Sequence, residues 1–388
     1  MPRHLARSCA LALLVASAGA VEQYVNPEGS PEDLTARGNT ALHNRQFDTA
    51  ISYYEQALEA DHTYFHALFN LGLTHQERAR FTRDADNRVP HYHDARRYYT
   101  RALRQRPDSA EVHCNLGIIA YQLGEYQLAA QRFQAAHEKA TNSDYSAEYA
   151  FNRGTALEQL QRWTDAKAAY EICLSQNPDH FGARYNLGTL LMRHLDDPIT
   201  ARRELKLAHE IDPKRPEPLL NLGVLAEARQ VSEAERLFTE AVGRANDYYP
   251  GMLDRVRWRR AQFYWHNDIP GKAAKVLAKL DLEAILDHDP DFPGANGLMG
   301  QYYESVAQYE KAVRHFEREV AEGNFDSTSE IDLQSHYYLA IIYSDHYQDP
   351  SKALLHATRY YELRPDETGN ALRRRAQRIL DADTLGTP

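Results

Sequence analysis

Four fragments return down the chain: NLGL at 70–73, NLGI at 115–118, NLGT at 186–189 and NLGV at 221–224. A fifth, NRGT at 152–155, keeps the Asn and the Gly. Such self-similarity at a fixed period marks a repeat architecture. Numbering a unit of about 34 residues so that this Gly stands eighth brings the rest of the chain into phase. The first unit starts at Pro31 and places Leu34, Gly38, Ala50, Tyr54 and Ala57 at positions 4, 8, 20, 24 and 27. Gly72, Ala95, Tyr99, Ala102 and Pro107 follow in the second, which carries an insertion at about 81–92. The third has Gly117, Ala129, Phe133 and Ala136, and the fourth Gly154, Trp163, Ala166, Tyr170, Cys173 and Pro178. The fifth has Gly188, Ala201, Ala208 and Pro213; the sixth has Gly223, Ala234, Phe238 and Ala241. Three weaker units carry Ala261, Tyr264, Ala273 and Leu277, then Gly300, Tyr303, Ala312 and Phe316, then Ala340, Tyr343, Ala353, Tyr360 and Pro365.

The pattern resembles the tetratricopeptide repeat family over residues 31–365. The resemblance implies an all-α solenoid, a right-handed superhelix of about nine helical hairpins whose first helices line a concave groove. The physics agrees. Small residues at 8 and 20 let the two helices approach, aromatics at 24 fill the space beside them, and Pro near 32 ends the second helix. One unit cannot bury its own apolar face, so neighbours must stack. The expected organisation is a signal peptide at 1–20, a linker at 21–30, six well-matched units at 31–248, three divergent units at 249–365, and a capping helix with tail at 366–388. Leu372, Ala376, Ile379 and Leu380 give that cap an apolar face, with Arg373, Arg374, Arg375 and Arg378 expected on its solvated side.

The first residues carry Arg3 and Arg7, the apolar run CALALLVASAGA at 9–20, and a small-x-small site at Ala18-Gly19-Ala20. The run is too short for a bilayer core of about 30 Å. A secreted or periplasmic protein beginning at Val21 is expected. Losing two basic residues takes the formal charge of −10 to −12. That balance argues against nucleic acid and anionic membrane surfaces as partners. Cys114 and Cys173 fall in different repeats and read as buried thiols.

No phosphate-binding glycine loop, nucleophile elbow or helical metal-binding His-Glu pair occurs. No enzyme activity, cofactor or metal is expected. HYH at 91–93 lacks the further ligands that a metal site needs. The insertion, with Arg78, Arg80, Arg83 and Arg88, reads as an exposed basic loop.

Asn70, Asn115, Asn152, Asn186 and Asn221 occupy position six of successive first helices. In this family that position faces the groove, and an asparagine ladder there is implied to contact a peptide backbone; an amide can both donate and accept. Five such bonds supply about 5 kcal/mol before ordering costs, short of micromolar binding. Phe69, Phe151, Tyr185 and Leu220 at position five are therefore expected to help, with Cys114 in that place in the third unit. The ladder ends at RWRRAQFYWH, 257–266, where Trp258, Arg259, Trp265 and His266 are candidates for a specific end to the groove. A chaperone-type carboxylate clamp is disfavoured, because Thr35, Glu111 and Asn115 stand where the family uses basic residues. The expected function is a non-catalytic scaffold that binds extended protein segments in assembly of an envelope or secretion complex. The alternatives are an adaptor for polysaccharide or pilus secretion that uses its convex face or the insertion, and a glycan-binding groove at Trp258 and Trp265.

Overall fold

The computed structural model describes residues 27–269, 271–321 and 330–364, with isolated positions up to 381. The signal peptide expected at 1–20 lies outside the described residues, as does most of the 21–30 linker. So do Leu372, Ala376, Ile379 and Leu380; Thr368, Ala371, Arg373, Arg374, Arg375, Gln377, Arg378 and Asp381 are helical. Among the described residues there is no strand, and no helix is long and apolar enough to cross a membrane.

The chain divides into two compact bodies, 1–212 and 213–388. In the first, α1 (Pro31–His43) pairs with α2 (Phe47–Ala60), α3 (Phe65–Phe81) with α4 (Arg88–Gln105), and α5 (Ala110–Gln122) with α6 (Tyr126–Lys139). Next come α7 (Ser143–Gln159) with α8 (Trp163–Gln176) and α9 (Phe181–Arg193) with α10 (Pro198–Ile211). In the second body the pairs are α11 (Glu217–Glu227) with α12 (Val231–Tyr248), α13 (Leu253–His266) with α14 (Ala274–His288), α15 (Ala295–Ser305) with α16 (Tyr309–Glu319), and α17 (Glu330–Asp345) with α18 (Pro350–Leu363). Within each body the second helix of one hairpin packs on the first helix of the next. The result is an all-α succession of nine hairpins among the described residues.

The hairpin has a simple steric origin. A Cβ on Gly38 would lie 2.4 Å from the Tyr54 ring, and one on Gly154 would lie 2.5 Å from Tyr170. The bare backbone at position 8 is therefore the seat of the aromatic at 24. The alanines at 20 are the second requirement: Ala50, Ala95, Ala129, Ala166, Ala201 and Ala234 are fully buried. Polar caps start several helices, with Ser30, Ser109, Asn142, Asp197 and Asp349 each accepting from a backbone N–H of the first turn.

Three expectations are corrected. Ala273 is not the buried small residue of the seventh repeat. It is the exposed N-cap of α14, and Ala274 is buried instead. The connection before it, with Gly271 at φ +75°, starts the helix one residue late. The insertion is not mainly a loop. α3 runs on to Phe81 and α4 begins at Arg88, so it lengthens both helices and leaves only 82–87 outside them. Its arginines are engaged: Arg78 pairs with Asp48 at 2.6 Å, Arg80 with Glu77 at 2.7 Å, and Arg88 donates to the carbonyls of Thr82 and Arg83 at 3.0 and 2.8 Å. The arginines near the C-terminus are not simply a solvated face, since Arg375 pairs with Asp345 at 2.5 Å and Arg373 lies over the Tyr361 ring at 4.5 Å. Cys114 and Cys173 are buried thiols and are not bridged to each other; burial pushes the Cys173 thiol up to about 12.

Candidate functional site

The five asparagines share a register but not an environment. In the first body, Asn70 is half-buried and its Nδ2 donates to Asn39 Oδ1 at 2.8 Å. The Tyr54 hydroxyl donates to the same oxygen at 2.8 Å. Asn186 is also half-buried, and its Nδ2 donates to the Tyr170 hydroxyl at 3.3 Å. Position six thus lies close to the position-24 tyrosine of the preceding repeat. Where that tyrosine is missing or occupied, the amide loses its partner. Phe133 precedes Asn152, and the Tyr99 hydroxyl that precedes Asn115 donates to Gln76 at 3.0 Å. Asn115 and Asn152 are fully buried, and neither the nitrogen nor the oxygen of either side chain has a hydrogen-bond partner. A continuous solvent-lined ladder is therefore corrected: in the first body the accessible amides are Asn70 and Asn186. In the second body Asn221 is buried.

Position five divides likewise. Phe69 is buried edge-on against Tyr99, with ring centroids 5.6 Å apart. Phe151 is buried between Tyr170 and His180, at 5.8 and 4.7 Å. These two are packing residues. Tyr185 is half-buried and stacked on Phe181 one turn earlier at 6.1 Å. In the second body Leu220 is half-buried.

The expected groove end is mostly committed to its own fold. Trp258 packs on Phe292 at 6.0 Å and comes within 2.9 Å of where a Gly294 Cβ would be. Trp265 lies half-buried on the same apolar cluster, with Lys275 Nζ 5.1 Å above its ring. Arg259 does not wait for a ligand carboxylate: it pairs with Glu227 of α11, which Asn267 also holds at 3.1 Å. His266 is exposed. Beside them Arg260 grips the buried Asp281 through two bonds of 2.8 and 2.7 Å.

Sequence reasoning missed the acceptors at position 12 and the histidine of α3. Glu158, near Tyr170 and Arg193, has its carboxyl pushed up to about 7 by burial, which outweighs both neighbours. His75 and His91 come together with Asp94, each offering one atom within 4.8 Å of the others. Burial lowers both histidines below their ordinary value, Arg78 adding to the effect and Asp94 opposing it. The signal for Glu158 was available, since a tyrosine at 24 that is sealed inside the hairpin must give its hydroxyl to something.

The hairpin geometry and the glycine–aromatic seat are matched by an independent comparison. A family model described as "Tetratricopeptide repeat" matches residues 35–86, 91–144 and 151–216.

Residues 35–216 carry tetratricopeptide repeats.

Among similar proteins, Tetratricopeptide repeat protein 8 of Caenorhabditis elegans is 26% identical over 180 residues, which is 45% of this chain and 32% of that protein. The chain thus spans about a third of the curated relative it matches. A tetratricopeptide repeat protein from Parabacteroides merdae ATCC 43184 aligns with TM-score 0.48 and 20% identity, covering 69% of this chain and 99% of that one. PilW, described as a widely conserved type IV pilus biogenesis factor, aligns with TM-score 0.47 and 18% identity, covering 58% of this chain and 97% of that one.

Proposed function

We propose that the chain is a non-catalytic scaffold of the secreted or periplasmic space, holding an extended protein segment along the first helices of its repeats during assembly of an envelope or secretion complex. The observation that carries the reading is the state of Asn70 and Asn186. Each is half-buried, has spent one N–H on a neighbouring repeat, and keeps its amide oxygen and second N–H. An amide anchored in this way can accept from a peptide N–H and donate to a peptide carbonyl with little further loss of rotamer freedom. Two amides imply a weaker contact than five would make, of the transient kind that an assembly factor uses. The location rests on the basic and apolar first residues with their small-x-small site.

The test replaces Asn70 and Asn186 by Ala and compares crosslinked partners from envelope fractions with those of the parent chain. Loss of partners with unchanged far-UV circular dichroism is expected. An unchanged partner set would overturn the reading. Asn152→Ala serves as the control, since its amide is sealed from any ligand.

A further inference from the structure

We propose that His75, His91 and Asp94 form a binding site for a divalent transition-metal cation of the zinc class, which clamps the lengthened helices of the second repeat together. His75 stands on α3; His91 and Asp94 stand one turn apart on α4, so that both face the same way. One ligand atom from each lies within 4.8 Å of the others, and His75 Nδ1 is 3.8 Å from Asp94 Oδ2. A tetrahedral ion with bonds of about 2.0–2.2 Å sets its ligands roughly 3.4 Å apart, so rotation of the side chains by a fraction of an ångström to about one ångström completes the contact.

The decisive feature is unspent nitrogen. Nδ1 of His75 and Nδ1 of His91 are both buried and without a hydrogen-bond partner. Buried polar atoms of this kind are rare and carry a penalty that a metal would relieve. The surroundings fit a ligand set held in place. The His75 ring is stacked on Tyr98, centroids 5.6 Å apart and planes 17° apart, which fixes its orientation. Asp94 gives Oδ1 to Arg97 at 3.3 Å and turns Oδ2 toward His75, an outer partner that orients an inner ligand. The nearby Arg78 is paired with Asp48 at 2.6 Å, which offsets its repulsion of a cation. His93, the other histidine of HYH, is exposed and faces Arg96 at 3.0 Å, so it takes no part. Two imidazoles and one carboxylate favour zinc, cobalt or nickel over magnesium or calcium, and three protein ligands leave a position for water.

The test titrates the full chain, free of any histidine tag, with zinc by equilibrium dialysis and with cobalt by its visible d–d bands. One zinc per chain and a tetrahedral cobalt spectrum are expected, together with a zinc-dependent rise in unfolding temperature that a chelator reverses. His91→Gln and Asp94→Asn, both at partly exposed positions of one helix, are each expected to weaken binding by about tenfold or more. The Asp94→Asn protein keeps the test decisive if His91→Gln fails to fold. No uptake by the parent chain, or equal affinity in the parent and the folded variants, would overturn the proposal.

Discussion

The glycine of the recurring fragment seats the side chain at position 24, whether Tyr99, Phe133, Tyr170, Leu205 or Phe238. Where that side chain is Tyr170, the next repeat's Asn186 reaches its hydroxyl. Gly154→Ala forces a Cβ to 2.5 Å from the Tyr170 ring and is expected to cost about 1–3 kcal/mol in urea unfolding. Asn152, like Asn115, is an exception that tests the logic. Its amide is sealed in without a partner, so Asn152→Leu, which keeps the same branched heavy-atom skeleton, is expected to raise stability by about 1–2 kcal/mol; a loss of that size would show that the amide is satisfied in solution. Glu158 adds a pH signature. Its folded pKa of about 7 lies above the ordinary 4.5, so the folded chain keeps a proton that the unfolded chain releases. That contribution to stability is whole below pH 4.5 and is lost as pH rises to about 7. Glu158→Gln should therefore raise stability at pH 8 by up to about 3 kcal/mol and change little at pH 4, as read from denaturant midpoints.

At the scale of elements, the second repeat and the eighth depart from the pattern in opposite ways. The second lengthens: α3 and α4 continue past the usual hairpin, because 74–81 contains neither Gly nor Pro and Pro90 falls within the first turn of α4, where it is tolerated. The eighth is pinned by charge. Glu319 of α16 is almost fully buried and accepts from the backbone of Gly294 at 2.8 Å and Gly297 at 2.7 Å, at the start of α15. A carboxylate there answers the orphan amides and the positive end of the helix. Glu319→Ala removes both bonds and leaves two amide donors without their carboxylate acceptor. A loss of about 2–4 kcal/mol is expected, concentrated in the second body, with Glu319→Gln intermediate. The measurement is thermal unfolding of the two variants beside the parent.

At the scale of the molecule, a chain of stacked hairpins unfolds piecewise more readily than a single core does. The second body contains the acid-labile piece. His336 and His356 face each other with Nδ1 atoms 3.0 Å apart, and burial holds both at about 4, helped at His336 by His356 and Arg359, while at His356 Glu317 opposes it and Lys352 adds to it. Folded, they stay neutral where the unfolded chain binds protons, so stability is whole above pH 6.5 and is lost as pH falls toward 4. Hydrogen exchange at pH 5 is expected to show protection in α17 and α18 falling before that in α5 to α8; equal loss in both regions would refute this. The sequence alone was enough for the all-α hairpins, because a glycine at 8, an alanine at 20 and an aromatic at 24 are a steric lock that recurs in phase whatever lies around it. It also placed the asparagines in one register. It could not say which of them water and ligands reach, because each amide's burial is set by how the neighbouring repeats pack around it. Nor could it join His75 to His91 and Asp94. Those residues stand on two helices, and only the packing of α3 against α4 brings their buried nitrogens within reach of one ion.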